Sequence, residues 1–140
     1  MRLIHYTDEK FNLEPMEYNQ DDLSWQAKPN GLWVSVEGEE DWESWCKSEN
    51  FCLENLAISY EVKLKEDANI LYLNSEEEIF NLSYDYPYLR KQWDDTCGKE
   101  ICRTYEIDWK EVKNKYQGII IPKYLCECRL SQYSCWYYGW

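Results

Sequence analysis

Three ring-bearing residues in the first third of the chain are the main candidates for chemistry. They are the single histidine, His5, and two of the eight tryptophans, Trp33 and Trp45. Two indoles brought over one cleft can sandwich a flat heteroaromatic ring, and offset stacking contributes about 0.5–1.5 kcal/mol beyond area burial. The alternative is that both indoles simply pack in the core. Either arrangement requires that neighbouring elements bring the two rings together.

Short local patterns predict the elements that carry these rings. Residues 2–6 are typical of a first strand, and Pro29 and Gly31 favour a turn just before Trp33. Alternation over residues 32–36 predicts a half-buried strand. A helix is expected from about 39 to 50, with tryptophans at helical spacing.

The middle of the chain predicts a hairpin followed by an acidic helix. Residues 56–64 alternate, which places Ile58, Tyr60, Val62 and Leu64 on one face of a strand. A turn before residues 70–73 predicts a second strand in the same sheet. Asn74 or Ser75 then caps a helix whose first turn carries three glutamates, where carboxylates favour the helix dipole.

The last part of the chain is expected to contain both helices and strands. Residues 83–106 show no clean period and are expected to be irregular, and Asp108 caps a helix to about residue 115. A stop at residues 116–118 precedes an apolar run, and strands are expected at 124–130 and 135–140. The order predicts an α+β fold with a mainly antiparallel sheet.

Composition limits the function classes. The 140 residues fit a single domain spanning 1–140, and 44% hydrophobic residues with 17% aromatics exclude disorder. The net charge of −12 disfavours direct nucleic-acid binding and favours a basic partner, or serves only solubility. The apolar runs are too short to cross a bilayer and no secretory segment is evident, so we expect a cytoplasmic protein that does not enter membranes.

The seven cysteines leave a metal site as a minor alternative. An odd count in a chain expected in the cytoplasm favours reduced thiols. Cys97 and Cys102, with Cys126 and Cys128, could bring four thiolates together, but their spacing is irregular for zinc. Small buried hydrophobes are the simpler interpretation. We therefore predict no metal.

The order of these motifs resembles the ADP-ribosyltransferase superfamily, in the branch shared by diphtheria toxin and the poly(ADP-ribose) polymerases. That branch has a histidine on its first strand, here similar to His5 beside Tyr6. A strand of the form Gly-hydrophobic-aromatic-x-Ser/Ala follows, here similar to Trp33 and Ser35, and then a helix with a second aromatic, here similar to Trp45. The resemblance implies a mainly antiparallel split sheet with flanking helices.

The resemblance also implies an activity. NAD would be the substrate, its nicotinamide–ribose bond would be cleaved, and ADP-ribose would pass to a macromolecular acceptor such as a protein. Glu127 and His5 would be catalytic. The residues that would bind NAD are His5, Tyr6, Trp33, Ser35 and Trp45. The chain departs from the family pattern at Trp33, where tyrosine is usual, and in lacking a Glu-hydrophobic-hydrophobic strand after residue 121.

A non-enzymatic interaction protein is the alternative. In that case Glu127 is an exposed strand residue, His5 is structural and Ser35 closes a turn. Acidic pairs and runs can imitate a phosphate track for a basic partner, and salt would weaken such binding steeply. These runs are residues 21–22, 39–41, 76–78 and 94–95.

Overall fold

The computed structural model describes most of the chain. The described residues are 1–10, 12–13, 31–38 and 40–129, with the backbone alone described for 89–94, 101–106 and 129. The strand expected at 135–140 lies outside these ranges.

The described residues form short strands and helices in alternation. The strands are β1 Leu3–Thr7, β2 Ser35–Val36, β3 Ile58–Val62, β4 Ile70–Tyr72, β5 Pro87–Asp94, β6 Lys99–Ile107 and β7 Gly118–Ile120. The helices are α1 Trp42–Glu49, α2 Glu76–Asp85, α3 Trp109–Lys115 and α4 Cys126–Arg129, with a 3₁₀ turn at Leu53–Leu56. The expected α+β class is confirmed. No helix in the described part of the chain is long and apolar enough to span a membrane.

The strands pair in three groups. β1 lies between β2 and β3 and is antiparallel to both, and β5 pairs antiparallel with β6. β4 pairs with β7 in parallel. Antiparallel pairing therefore predominates among the described strands, but the predicted hairpin between β3 and β4 is wrong.

The parallel β4–β7 pair is fixed by polar contacts at its start. The Asn69 N–H donates to Gln117 Oε1 at 2.9 Å, and the Gln117 N–H donates to the Asn69 carbonyl at 2.8 Å. The Asn69 side-chain amide also donates to the Lys115 carbonyl at 2.6 Å. These contacts join residues 46 to 48 positions apart, which no local turn pattern encodes.

Two further expectations are wrong. Residues 87–107 form the β5–β6 hairpin instead of an irregular segment, with Gly98 at φ 60° in its turn. Pro87 is tolerated because it is the first residue of β5. Residues 126–129 form helix α4 instead of part of a strand, because packing of Cys128 into the core overrides weak local preference.

The predicted helix caps are confirmed. The Ser75 side chain accepts from the Glu78 N–H at the start of α2, and the Asp108 side chain accepts from the Glu111 N–H at the start of α3. These two helices contribute four of the eight residues of the main core. That core consists of Leu73, Ile79, Leu82, Tyr86, Ile107, Trp109, Val112 and Cys128.

Candidate functional site

The strand β1 divides the predicted site residues between its two faces. His5 pairs with Tyr60 of β3, and Tyr6 pairs with Ser59. Side chains alternate along a strand, so His5 and Tyr6 point to opposite faces of the sheet. Residues in register share a face, which places His5 on the same side as Tyr60.

The imidazole of His5 is held by the backbone that leads into β2. Its Nδ1 lies 2.8 Å from the Trp33 carbonyl oxygen. Because a carbonyl oxygen only accepts hydrogen bonds, Nδ1 carries the proton in this contact. In the neutral ring Nε2 is then the accepting nitrogen, the form suited to a hydroxyl donor. The structure thus joins the predicted residues His5 and Trp33 directly.

Tyr6 is joined to α1 on the opposite face. Its hydroxyl donates to Glu43 Oε2 at 2.9 Å, and Lys47 donates to the other oxygen of the same carboxylate. Burial and then the hydrogen bond to Glu43 raise the pKa of Tyr6 to about 12. The hydrogen bonds from Lys47 and Tyr6 lower the pKa of Glu43. The Tyr6 hydroxyl is therefore committed to holding α1 against the sheet.

Ser35 and Asp41 fix the start of α1. The Trp42 N–H donates to Ser35 Oγ at 2.9 Å, and the Ser44 N–H donates to Asp41 Oδ1 at 2.8 Å. Burial raises the pKa of Asp41, but the hydrogen bonds from Ser44 and Gly38 outweigh it and the net shift is downward. The Ser35 hydroxyl therefore accepts a hydrogen bond from the first backbone N–H of α1.

Trp45 belongs to an aromatic cluster on α1. The ring centroids of Trp45 and Trp42 lie 5.2 Å apart, with 22° between the ring planes. Phe51 meets both indoles edge-on, with its ring centroid 5.4 Å from that of Trp45 and 6.3 Å from that of Trp42. A stacked neighbour occupies one face of the Trp45 indole. Any ligand ring between Trp45 and Trp33 would have to use the other face.

The geometry places the two halves of the predicted slot on different sides of β1. Tyr6 and Ser35 reach α1, which carries Trp45, whereas His5 lies on the opposite face. The two sides meet at the edge of the sheet, where β2 contains only two residues. A slot including both His5 and Trp45 would have to pass around this edge beside Trp33.

Glu127 lies in a different part of the fold. It is exposed on α4, which packs against α2, and not on a strand. Burial first, and then the charges of Glu76 and Glu127, raise the pKa of Cys128. Gln117 uses its side-chain carbonyl to accept a hydrogen bond from the Asn69 N–H.

The thiols do not form a metal site within the described residues. No group of three or more His, Cys, Asp or Glu residues there is placed to hold an ion. Cys46 and Cys128 are fully buried, and burial is the largest cause of their raised pKa values. Raised thiol pKa values disfavour the thiolate that metal binding requires.

Two contacts near the site were missed by sequence reasoning. Tyr60 opposite His5 depends on strand register, which the β1 and β3 patterns leave open. The Tyr6–Glu43 contact joins residues 37 positions apart. The stacking of Trp42 on Trp45 did have a signal, because an i, i+3 pair lies on one helix face.

Comparison with known proteins identifies no relative of the chain. No protein-family model, no curated protein and no solved structure gives a significant match to the chain. The assignment of function therefore depends on the residues themselves.

Proposed function

We propose that this chain is an NAD-dependent ADP-ribosyltransferase-like protein. It cleaves the nicotinamide–ribose bond of NAD and transfers ADP-ribose to a macromolecular acceptor. A basic protein is the preferred acceptor, because the charge of −12 repels phosphate backbones and attracts cations.

The contact between His5 and the Trp33 carbonyl is the observation that supports this proposal most. It fixes the ring and its tautomer, so that Nε2 accepts a hydrogen bond from a ribose hydroxyl of NAD. Trp33 lies at the short β2 edge beside the imidazole and stacks on the nicotinamide ring. Tyr60 lies opposite His5 in the register, on the same face of the sheet.

Cleavage of the nicotinamide–ribose bond requires a counter-charge. The bonding electron pair leaves with nicotinamide, and the ribose acquires oxocarbenium-like positive charge, as in glycoside hydrolysis. Glu127 is the proposed carboxylate that stabilises this charge and accepts a hydrogen bond from a ribose hydroxyl. Its exposed place on α4 means that substrate binding must bring α4 and the β2 edge to the same NAD molecule.

The test uses NAD labelled in its adenylate half, incubated with a cell lysate and purified protein. Transferred label and released nicotinamide are both measured for wild type, His5→Ala and Glu127→Gln. Loss of a preorganised charge typically costs about 10²–10³ in rate, which is the reduction expected for Glu127→Gln. Glu77→Gln, an exposed glutamate on α2, is the matched control. Equal product from all variants would remove His5 and Glu127 from the mechanism.

A non-enzymatic acidic protein that binds a basic partner is the second candidate. The observation that favours it is the exposed run Glu76–Glu78 in the first turn of α2. Two results together would favour this candidate. Folded, purified protein would release no nicotinamide from NAD, and its affinity for a basic protein would fall steeply as the salt concentration rises.

A further inference from the structure

Helix α1 and the residues after it carry a ring cluster that faces solvent. Trp42 is 41% exposed and Phe51 is 47% exposed, although both pack against Trp45. Asn50, at φ 52°, ends α1 in the left-handed conformation, and the Phe51 N–H then donates to the Cys46 carbonyl at 3.0 Å. This turn returns Phe51 to the helix face that carries the indoles. We call Trp42, Trp45 and Phe51 the indole surface.

Carboxylates lie beside the indole surface. Trp42, Trp45 and Glu49 occupy positions i, i+3 and i+7 of α1, so they share one helix face. Glu54 follows in the 3₁₀ turn Leu53–Leu56, which contacts α1. Both glutamates are exposed, and no salt bridge within the described residues uses either one.

The cation of α1 is kept away from this surface. Lys47 is at position i+5 from Trp42, about 140° around the helix, and it pairs with Glu43. Glu43 is in turn held by Tyr6. The indole surface therefore combines ring faces with uncompensated negative charge in a chain of net charge −12.

We propose that the indole surface, with Glu49 and Glu54, is the docking site for an arginine- or lysine-bearing segment of a partner protein. A guanidinium or ammonium group binds over the face of an indole and is attracted by the ring quadrupole. Glu49 and Glu54 add charge complementarity, which also speeds association. A second copy of this chain is a poorer occupant, because it carries the same net charge of −12. This inference is independent of NAD and of the proposed transfer.

The test is a titration of the full chain into a fluorescein-labelled peptide with three arginines separated by glycine and serine. A matched peptide has glutamine in place of each arginine. Fluorescence anisotropy is expected to give saturable binding with Kd below about 1 mM for the arginine peptide only. Trp42→Leu is expected to weaken binding about three- to thirty-fold, from the range of cation–π energies. Glu49→Gln is expected to weaken it about two- to five-fold.

Controls separate this surface from general charge attraction. Tyr84→Leu removes another exposed ring, on α2, and Glu66→Gln removes another exposed carboxylate, in the segment before β4; neither is expected to alter the Kd. Urea unfolding curves check that each variant folds. In wild type, a nitroxide on the arginine peptide is expected to broaden the indole N–H signal of Trp42, assigned by its loss in Trp42→Phe.

Several outcomes would overturn the proposal. These are no binding by wild type, equal binding of the two peptides, an unchanged Kd for folded Trp42→Leu, or equal losses in the control variants. Sedimentation that shows a dimer dissociated by Trp42→Leu would assign the surface to a second copy instead. Failure here leaves the NAD assay unaffected, since nicotinamide release is measured without the peptide.

Discussion

Removal of the Tyr6 hydroxyl is a direct test of how α1 is attached to the sheet. The Tyr6→Phe substitution deletes the 2.9 Å hydrogen bond to Glu43 and leaves the ring in place. A hydrogen bond to a charged group is worth about 1.5–3 kcal/mol, and partial exposure reduces this to about 1 kcal/mol here. We expect the free energy of unfolding to fall by about that amount.

The pH dependence of this loss follows from the pKa of Tyr6. Folding raises it from 10.0 to about 12, so the contribution is complete below pH 10 and is lost as pH rises towards 12. The lowered pKa of Glu43 sets the low-pH limit of this stabilisation. Its contribution is present above the usual carboxyl value of 4.5 and is lost as pH falls through the lowered value. The difference between wild type and Tyr6→Phe is therefore greatest between these limits.

The assay is urea unfolding followed by tryptophan fluorescence at a series of pH values. Taking the difference between wild type and Tyr6→Phe cancels the titration of the other tyrosines. Tyr84→Phe, on an exposed ring, is the control and is expected to change the free energy of unfolding by less than about 0.5 kcal/mol. A wild-type advantage that is absent near pH 8, or that grows between pH 10 and 12, would refute the reasoning.

Three further substitutions test other parts of the fold by urea unfolding. Asp41→Ala removes the N-cap of α1 and is expected to lower the free energy of unfolding by about 1 kcal/mol. An unchanged free energy of unfolding would show that the hydrogen bond to Ser35 is enough to hold the start of α1. Ile79→Ala, at a fully buried core position, is expected to lower the free energy of unfolding by about 2–5 kcal/mol. A smaller loss would mean that neighbouring side chains move to fill the cavity. Gln117→Ala removes the acceptor for the Asn69 N–H and is expected to cost about 0.5–1.5 kcal/mol, whereas unchanged stability would show that water replaces it.

Local sequence signals predicted the elements with strong caps and clear alternation. Ser75 and Asp108 each have a side-chain oxygen placed to accept from the third following N–H, and both helices begin there. The alternation around Ile58, Tyr60 and Val62 likewise gave β3 and its half-buried face. Leu64, expected on the same face, lies beyond β3 and is exposed.

Elements determined by distant contacts were not predictable in this way. The turn pattern predicted that β4 pairs with β3 in a hairpin, but β4 pairs with β7, close to 50 residues further along. α4 is short and has Cys128 inserted into the core, a tertiary contact that its alternating sequence conceals. Part of the site was affected similarly, because the pairing that places Tyr60 opposite His5 depends on the register between β1 and β3.

The NAD site is the central claim, and a calorimetric titration of the purified chain with NAD tests it most directly. We expect saturable heat for wild type and about tenfold weaker binding for His5→Ala, the upper end of the range for loss of one hydrogen bond. Tyr84→Phe is expected to bind NAD as wild type does. No measurable heat for wild type, or equal affinity for wild type and His5→Ala, would contradict the claim.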